Sequence, residues 1–419
     1  MMPTSNLSEV LFKPTKSKKE TSTIIRVEGA PDTPCHESTS HDDGRGFYRV
    51  LKRPLWAWEG VDPVEMEAIF ASMSASEHER SDERLIDTVK DYHHGNWNYE
   101  WVQLGMRYQK EAMHAEEQAG FDPEKVASLW LRASTHYGIA AYPHLRGDEL
   151  AMQADVLAMQ AYRHAMSLMH QTIKTIEFNY KGKAVQAYLH LPRTDKALPT
   201  VIASGGLDTL QTELWKTYTD YFAPAEIAMV TLDMPSMGHS HNCPFNEDTS
   251  VLHMTLLEEL QKVAWVDQNN IATFGTRVGA NAAIRLAFLA SNKIKAAVSL
   301  GGTLHDFYTG GHRLDTLPRM YFDVFASRLG KTTIPKSTLV SQLCTFSLKQ
   351  QGLLGRRACS VPMLGVSLEG DSFCPPSDNH LLAASSRDGK AIILPDSPLN
   401  TGYHRCMTAV TQWLQEKLR

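Results

Sequence analysis

Gly275-Thr276-Arg277-Val278-Gly279 is the stretch of sequence that decides the fold of this chain. It has the spacing of a G-x-S-x-G nucleophile elbow, with arginine where that motif has serine. An apolar run at residues 270–274 precedes it, and a helical pattern at residues 280–289 follows it. A nucleophile elbow requires this succession of strand, tight turn and helix. Its glycines permit the strained backbone of the turn and the close packing of the helix against the strand. The stretch therefore predicts the architecture of an elbow that has lost its nucleophile.

Length, charge and composition narrow the class of protein. The 419 residues are enough for one large domain and a second unit, and 42% hydrophobic with 21% charged residues is ordinary for a globular chain. The net charge of −5 gives no electrostatic reason to expect nucleic acid or an anionic membrane as partner. The first residues lack the apolar core of a signal peptide, and no apolar run is long enough to span a bilayer. Six cysteines without C-x-x-C spacing favour reduced thiols, so we expect a cytoplasmic protein.

The hydrophobic pattern changes along the chain and predicts three parts. Residues 1–60 form a polar N-terminal arm, of which the first 45 are interpreted as a plain tail. Residues 61–170 read as four or five consecutive helices, a helical cap subdomain. Residues 171–419 open with a hairpin of period two and continue as alternating strands and helices, which indicates an α/β fold with a mostly parallel sheet. A segment at about 305–355 has no convincing strand and is predicted to be a helical insertion.

Two further expectations concern the helical part. Ser81-Asp82-Glu83-Arg84 is expected to open a helix that continues through Leu85, Ile86 and Val89. The aromatic side chains of these helices are interpreted as core, with a lid over a pocket as the alternative.

Functional residues of a parallel sheet gather in the loops at the carboxyl ends of its strands. In an α/β-hydrolase, one such loop and the residue after the elbow supply the N–H donors of the oxyanion hole. Here the loop is Ser204-Gly205-Gly206-Leu207-Asp208. The candidate donors are therefore Gly206 or Leu207, together with Val278.

Two later loops carry the residue types of a catalytic acid and a catalytic histidine. Asp371 follows a predicted strand at the usual place of the acid, with Asp378 as a nearby competitor, and His404 lies just before the last helix. The order elbow, Asp, His is the order found in hydrolases. His239 and His241 have no carboxylate or cysteine at ligand spacing, so we predict no metal site.

Arg277 is the residue whose role the sequence leaves open. A guanidinium stays protonated, so it is neither a base nor a nucleophile, and at a helix N-terminus it needs an accompanying anion. It either grips the carboxylate of a small acid in a bidentate manner or pairs with Asp371 in an inactive site. As a third alternative, Ser204, Ser236 or a water activated by His404 makes the attack.

Several motifs spread over the chain carry a resemblance to a known family. They are Leu7-Ser8-Glu9-Val10-Leu11-Phe12-Lys13-Pro14, Gly95-Asn96-Trp97-Asn98-Tyr99-Glu100-Trp101, Ala140-Ala141-Tyr142-Pro143-His144-Leu145, Gly205-Gly206-Leu207-Asp208, Tyr221-Phe222-Ala223-Pro224, Asp233-Met234-Pro235-Ser236 and Gln351-Gly352-Leu353-Leu354-Gly355-Arg356-Arg357. With them, and with Arg at the centre of the elbow, the chain resembles the fermentation–respiration switch protein (FrsA) family of gamma-proteobacteria over essentially its full length.

The resemblance implies an α/β-hydrolase core with an N-terminal helical cap, and a cytoplasmic protein with esterase activity. It also implies a partner, the unphosphorylated glucose-specific IIA protein of the phosphotransferase system, and a link to control of fermentation versus respiration. More distant relatives of the same plan are C–C bond hydrolases with serine at the elbow, from which this chain departs at Arg277.

Three hypotheses follow. The first is a carboxylic ester hydrolase without a cofactor, in which the site consists of Arg277, Asp371 and His404 with N–H donors from Gly206, Leu207 and Val278. The second is a regulatory binding protein with a vestigial pocket and the IIA protein as its partner. The third is an enzyme acting on a small carboxylate such as a 2-oxo acid.

Overall fold

The computed structural model describes residues 20–35, 45–169, 172–356, 358–396 and 401–419. The motif at residues 7–14 lies outside the described residues. Five helices come first in the chain: α1 (Arg53–Trp58), α2 (Pro63–Ala75), α3 (Trp97–Glu116), α4 (Pro123–Ala141) and α5 (Glu149–Leu168). Side-chain caps fix where α2 to α5 begin. Asp62, for example, accepts a hydrogen bond from the N–H of Val64 at 2.7 Å.

The aromatic residues of these helices form their common core. Trp56 of α1 packs on Trp97 and Trp101 of α3 with ring centroids 5.9–6.2 Å apart, and on Tyr142 after α4 at 5.8 Å. All four side chains are buried. The interpretation of these residues as core is confirmed, whereas the division of the chain at residues 60 and 170 stays a prediction.

The helix predicted to open at Ser81 is wrong, because residues 81–89 form turns and isolated bridges. The hydroxyl of Thr88 donates to the carbonyls of Asp82 and Leu85 at 3.0 and 2.9 Å. The carboxylate of Asp82 accepts from the N–H of Arg84 at 2.9 Å. Such side-chain to backbone bonds compete with helical ones, and the local apolar pattern does not reveal them.

The described parts of the N-terminal arm are packed, contrary to the expectation of a plain tail. Strand β1 (Arg26–Glu28) pairs in parallel with β8 (Thr333–Pro335), and Ile25 and Val27 are buried. Strand β8 also corrects the expectation of no strand between residues 305 and 355. Both strands have three residues, too few to show an alternating pattern.

The described residues form a second, eight-stranded sheet. Its strands are β2 (Thr172–Tyr180), β3 (Lys183–Leu191), β4 (Leu198–Ser204), β5 (Ala228–Leu232), β6 (Val266–Thr276), β7 (Ala296–Leu300), β9 (Met363–Leu368) and β10 (Gly389–Leu394). The spatial order is β2-β3-β5-β4-β6-β7-β9-β10. β3 runs antiparallel to its neighbours and the other pairings are parallel. The predicted α/β-hydrolase core, with its opening hairpin, is confirmed.

Helices cover both faces of this sheet. They include α6 (Val251–Leu260), α7 (Val278–Leu289), α10 (Pro376–Ala384) and α11 (Gly402–Lys417). Helices α8 (Arg319–Arg328) and α9 (Lys336–Leu343) pack instead on β1 and β8. Short helical segments lie at Thr21–Thr23, Gln211–Leu214, Trp215–Thr217, Tyr218–Phe222, Gly238–Ser240, Asp306–Thr309, Gly311–Asp315 and Cys344–Phe346. One face buries α6 and α7, and the other buries the predicted last amphipathic helix, α11, through Val410, Trp413 and Leu414. No described helix is both long and apolar enough to cross a membrane.

Candidate active site

The elbow lies between β6 and α7, near the middle of the sheet. Arg277 has φ 54° and ψ −121°, a strained conformation that residues with side chains rarely adopt. A Cβ on Gly275 would overlap the backbone of Gly279, and one on Gly279 would overlap the carbonyl oxygens of Ser204 and Gly205. The predicted need for both glycines is thus confirmed, and the turn has the shape that displays a nucleophile in hydrolases although its central residue is arginine.

Arg277 forms an ion pair with Asp371. Its Nη1 donates to Oδ1 and Oδ2 of Asp371 at 2.7 and 2.6 Å, and to the carbonyl of Gly301 at 3.1 Å. Burial disfavours the charge on Arg277, but the carboxylate of Asp371 outweighs it and raises the pKa of the guanidinium. The anion that a cation at this helix end requires is therefore supplied from within the chain.

The guanidinium of Arg277 uses only Nη1 in its hydrogen bonds to described residues. Its carbon lies 4.8 Å from the ring centroid of Phe373, and the side chain of Arg277 is 41% exposed. Nε and Nη2 make no hydrogen bond to a described residue. Arg277 is thus paired on one side and able to bind an oxygen of a ligand on the other.

Asp371 is held more tightly than Arg277. Its Oδ1 also accepts from the N–H groups of Phe373 and Cys374 at 2.9 and 3.3 Å, and its side chain is only 11% exposed. The competing Asp378 is buried on α10 and accepts from three N–H groups of residues 304–306 at 2.9–3.2 Å. Asp378 therefore fixes a loop, and Asp371 is the acid at the elbow.

The structure does not join His404 to Asp371. His404 lies in the first turn of α11, not before it, and its Nδ1 shares a hydrogen bond of 2.7 Å with the hydroxyl of Tyr221. Burial raises the pKa of Tyr221 to about 12, so this hydroxyl stays protonated at neutral pH. Nε2 of His404 makes no hydrogen bond within the described ranges, and His404 lines the same cavity as Arg277.

The loop that carries Gly206 and Leu207 lies against the elbow, next to Val278 in the chain's second predicted donor position. A Cβ on Gly206 would lie 3.2 Å from Cβ of Arg277, so the loop after β4 passes directly over the elbow. Among the described contacts, the N–H groups of Gly206, Leu207 and Val278 find no acceptor. Unsatisfied amides near one point are the arrangement that stabilises an oxyanion.

A buried arginine, which the sequence analysis missed, holds this loop in place. Nε and Nη2 of Arg328 donate to the carbonyl of Leu207 at 2.9 and 2.8 Å. Nη1 donates to the carbonyl of His144 at 2.7 Å, and Nη2 also donates to that of Pro143 at 3.1 Å. Arg328 thus ties the loop after β4 to the loop between α4 and α5.

A cavity of about 620 Å³ contains Arg277, Asp371 and His404, together with Leu207 and Val278. The residues before and in α1 and those of α8 form further walls; they are Lys52, Pro54, Leu55, Trp58, Glu59, Tyr321, Val324 and Phe325. None of the described residues of α2 to α5 lines it. The wall that the sequence analysis missed therefore comes partly from the predicted arm and partly from the predicted insertion, and neither segment shows a catalytic motif.

The alternative nucleophiles lie elsewhere. Ser204 and Ser236 are each 1% exposed and do not line the cavity. Ser204 donates to the carbonyl of Leu232 at 2.7 Å and contacts Nε2 of His253 at 2.8 Å. Ser236 is contacted by Nη1 of Arg146 at 3.3 Å. Both hydroxyls are thus engaged away from the elbow.

Sequence comparison finds relatives that match this chain over nearly its full length. A family model described as FrsA-like, "Esterase FrsA-like", matches residues 2–419. A protein named Esterase FrsA from Photobacterium profundum is 52% identical over 414 residues, which cover 99% of this chain and 98% of the relative. An Esterase FrsA from Vibrio cholerae is 43% identical over 413 residues, with 99% and 98% covered.

Solved structures share the fold at low sequence identity. The 2,6-dihydroxy-pseudo-oxynicotine hydrolase superposes with a TM-score of 0.70 at 16% identity, covering 87% of this chain and 95% of the other. Wild-type AbyA5 superposes with a TM-score of 0.63 at 18% identity, covering 85% and 95%. Because these alignments span most of the chain, the likeness includes more than the central sheet.

Proposed function

Because this chain belongs to the FrsA-like esterase family and is by class an ester hydrolase, we propose that it cleaves small carboxylic esters in the cavity above Arg277. One observation carries the proposal. The arginine occupies the nucleophile position, is anchored by Asp371, and has Nε and Nη2 beside the cavity without a hydrogen bond to any described residue. Such a group binds and polarises an ester carbonyl without forming a covalent bond.

In this proposal, water replaces serine as the nucleophile. In the tautomer in which Nδ1–H of His404 donates to the oxygen of Tyr221, Nε2 is unprotonated and takes a proton from the water while the water oxygen attacks the carbonyl carbon. Arg277 and the N–H groups of Gly206, Leu207 and Val278 bind the resulting oxyanion. The tetrahedral intermediate then collapses, the C–O bond breaks, and His404 returns the proton to the leaving alkoxide. We expect slow turnover, because no acyl-enzyme forms.

The test is hydrolysis of 4-nitrophenyl acetate by wild type, Arg277→Ala and His404→Ala. We expect each variant to lose about a hundredfold in kcat/KM, the usual cost of removing an oxyanion donor or an acid–base group. Arg285→Ala is the matched control, because Arg285 lies on the same helix but pairs with Asp248 and Gln351, outside the cavity. Equal rates in wild type and both variants would overturn the assignment.

A regulatory role is the second candidate, and the Arg277–Asp371 pair favours it. The pair leaves the elbow without a side-chain nucleophile and engages the acid that would otherwise orient a histidine. In this reading, the pocket is vestigial and the chain is a cytoplasmic partner of the unphosphorylated glucose-specific IIA protein, which affects fermentation versus respiration. Calorimetry at micromolar concentrations tests it, and a flat titration would count against it.

A third candidate rests on the unpaired donors of Arg277. These match the carboxylate of a small 2-oxo acid. Crystals soaked with pyruvate would then show density at the guanidinium, and an empty site would exclude this reading at the concentration used.

A further inference from the structure

Glu59 is a buried carboxyl group that the proposed reaction does not use. It is 4% exposed and forms part of the cavity wall. Its side chain makes no hydrogen bond to any residue that the structure describes, although its backbone N–H donates to the carbonyl of Leu55 at 2.9 Å. A buried polar group without a partner is costly, and in a cavity wall it indicates a contact that a ligand completes.

The neighbours of Glu59 already have partners of their own. Nζ of Lys52 lies 2.9 Å from Oδ2 of Asp208 and also contacts the carbonyl of Asp208 at 3.1 Å. Glu213 accepts from the N–H of Leu210 at 2.7 Å and lies 3.3 Å from Nε2 of His144. Lys52, the cation whose charge acts on Glu59, is therefore committed to the carboxylate of Asp208.

These surroundings favour the protonated form of Glu59. Burial and the nearby carboxylate of Glu213 raise the pKa of Glu59 well above its ordinary value, and Lys52 opposes this only in part. A carboxylic acid kept neutral in this way offers one O–H donor and one carbonyl acceptor.

The position of Glu59 is fixed before any ligand arrives. Trp56, three residues earlier, is anchored in the aromatic core of the helices. Gly60 then takes φ 106°, and the N–H of Val61 returns to the carbonyl of Trp56 at 3.0 Å, which closes the end of α1. The carboxyl group is thus presented on a rigid turn, separate from the contacts of Arg277.

We propose that Glu59 contacts the substrate as an uncharged carboxyl group and selects esters that carry a neutral hydrogen-bonding substituent, such as a hydroxyl or a carboxamide. The surrounding wall of Leu55, Trp58 and Val324 suits an otherwise apolar body. This inference rests on the proposed esterase function and names the second polar point of its site.

The experiment compares kcat/KM for 4-nitrophenyl butyrate with that for a series of butyrates bearing a hydroxyl at C2, C3 or C4 or a terminal carboxamide. Wild type should prefer at least one polar ester over the plain one. Glu59→Gln, which keeps a neutral donor and acceptor, should retain that preference. Glu59→Leu should lose it by about tenfold, because one hydrogen bond in a buried site is missing.

Each result of this comparison either supports or contradicts the proposed contact of Glu59 with the substrate. If Glu59→Leu keeps the wild-type ratios, or if wild type shows no preference in the series, the inference is wrong. If Glu59→Gln loses the preference as fully as Glu59→Leu, the carboxyl acts in its charged form and the neutral contact is wrong. Glu77→Leu, at an exposed position, controls for the loss of a glutamate, and Glu59→Gln reports on selectivity if the leucine variant fails to fold.

Arg277→Ala, assayed on the same esters, separates this inference from the function on which it rests. If Arg277→Ala is as active as wild type, the proposed catalytic site fails. If Arg277→Ala is inactive while the Glu59 variants match wild type, only the selectivity contact fails.

Discussion

Two pairs of polar side chains lie near the carboxyl ends of the central strands. They differ in the strain of the backbone that carries them and in their exposure to solvent. Arg277 and Asp371 meet at a strained turn that opens into a cavity. Ser204 and His253 meet at the end of β4 and on α6, where both are at most 2% exposed. Ser204 and His253 have the residue types of a hydrolase nucleophile and base. Arg277 and Asp371 occupy the positions where a hydrolase has its nucleophile and acid.

The hydrogen bonds of the second pair explain why residue type is not enough. The hydroxyl of Ser204 donates its only hydrogen to the carbonyl of Leu232. His253 must therefore donate through Nε2 to the oxygen of Ser204. Burial lowers the pKa of His253 to about 4, so the ring stays neutral. This histidine is a donor to the serine and not a base, and the comparison teaches that the elbow geometry decides where chemistry occurs.

The largest expected effect concerns the backbone of the elbow. Gly279→Ala places a methyl group on the carbonyl oxygens of Ser204 and Gly205, so helix and strand must separate, and we expect a loss of about 3 kcal/mol or more in the free energy of unfolding. Gly138→Ala is the control, because a Cβ there meets nothing within 4 Å and favours helix α4. Urea unfolding measures the stability of both variants. Equal midpoints for Gly279→Ala and Gly138→Ala would show that the elbow does not require glycine at position 279.

The next effect is a pH dependence of stability. Burial lowers the pKa of His253 to about 4, below its unfolded value near 6.5, so the stability that it contributes is full above pH 6.5 and lost as pH falls towards 4. Between pH 7 and 4.5 the free energy of unfolding should fall about 2 kcal/mol further in wild type than in His253→Gln. Parallel pH profiles of the two proteins would show that this histidine is not held neutral.

Backbone strain at the elbow predicts a smaller difference. Arg277→Gly and Arg277→Ala both remove the ion pair with Asp371, but only glycine accommodates φ 54° and ψ −121° without strain. We expect the glycine variant to be the more stable of the two by about 1 kcal/mol in urea unfolding. If the alanine variant is equal or better, the turn has relaxed once the guanidinium is gone.

The smallest effect sharpens the contrast between the two pairs. Ser204→Ala should leave the hydrolysis of 4-nitrophenyl acetate within about twofold of wild type, because the serine is sealed from the cavity. Its cost should appear in stability instead, about 1 kcal/mol, since two buried groups lose their partner. A large loss of kcat at unchanged stability would move the nucleophile from the elbow to Ser204.

The sequence predicts the features that depend on local pattern. The elbow glycines and the alternation of β2 and β3 lie in short stretches of sequence. Asp371 is predictable near Arg277 because the parallel strands β6 and β9, with β7 between them, end at the same edge of the sheet. The pairing of His404 with Tyr221 was not foreseen, because the tyrosine belongs to an irregular helical segment.

Features that depend on distant packing escape the pattern. Glu59 enters the cavity because Trp56 anchors α1 in the helical core, and the residues around it show no sign of this. Arg328 is similar, since its carbonyl partners belong to residues 143–144, to Leu207 and to Ser236, in three other parts of the chain. In both cases the functional placement is a property of tertiary contacts and not of spacing.

Arg328 has a mechanical consequence for the whole molecule. One guanidinium grips the carbonyls of Pro143 and His144 and, with the same rigid plane, the carbonyl of Leu207 beside the reaction centre. A protein that bound the helical layer and displaced residues 143–144 would have to break these bonds or drag the amide of Leu207 with it. If that displacement weakened substrate binding at the elbow, bound substrate would weaken the binding of that protein by the same factor.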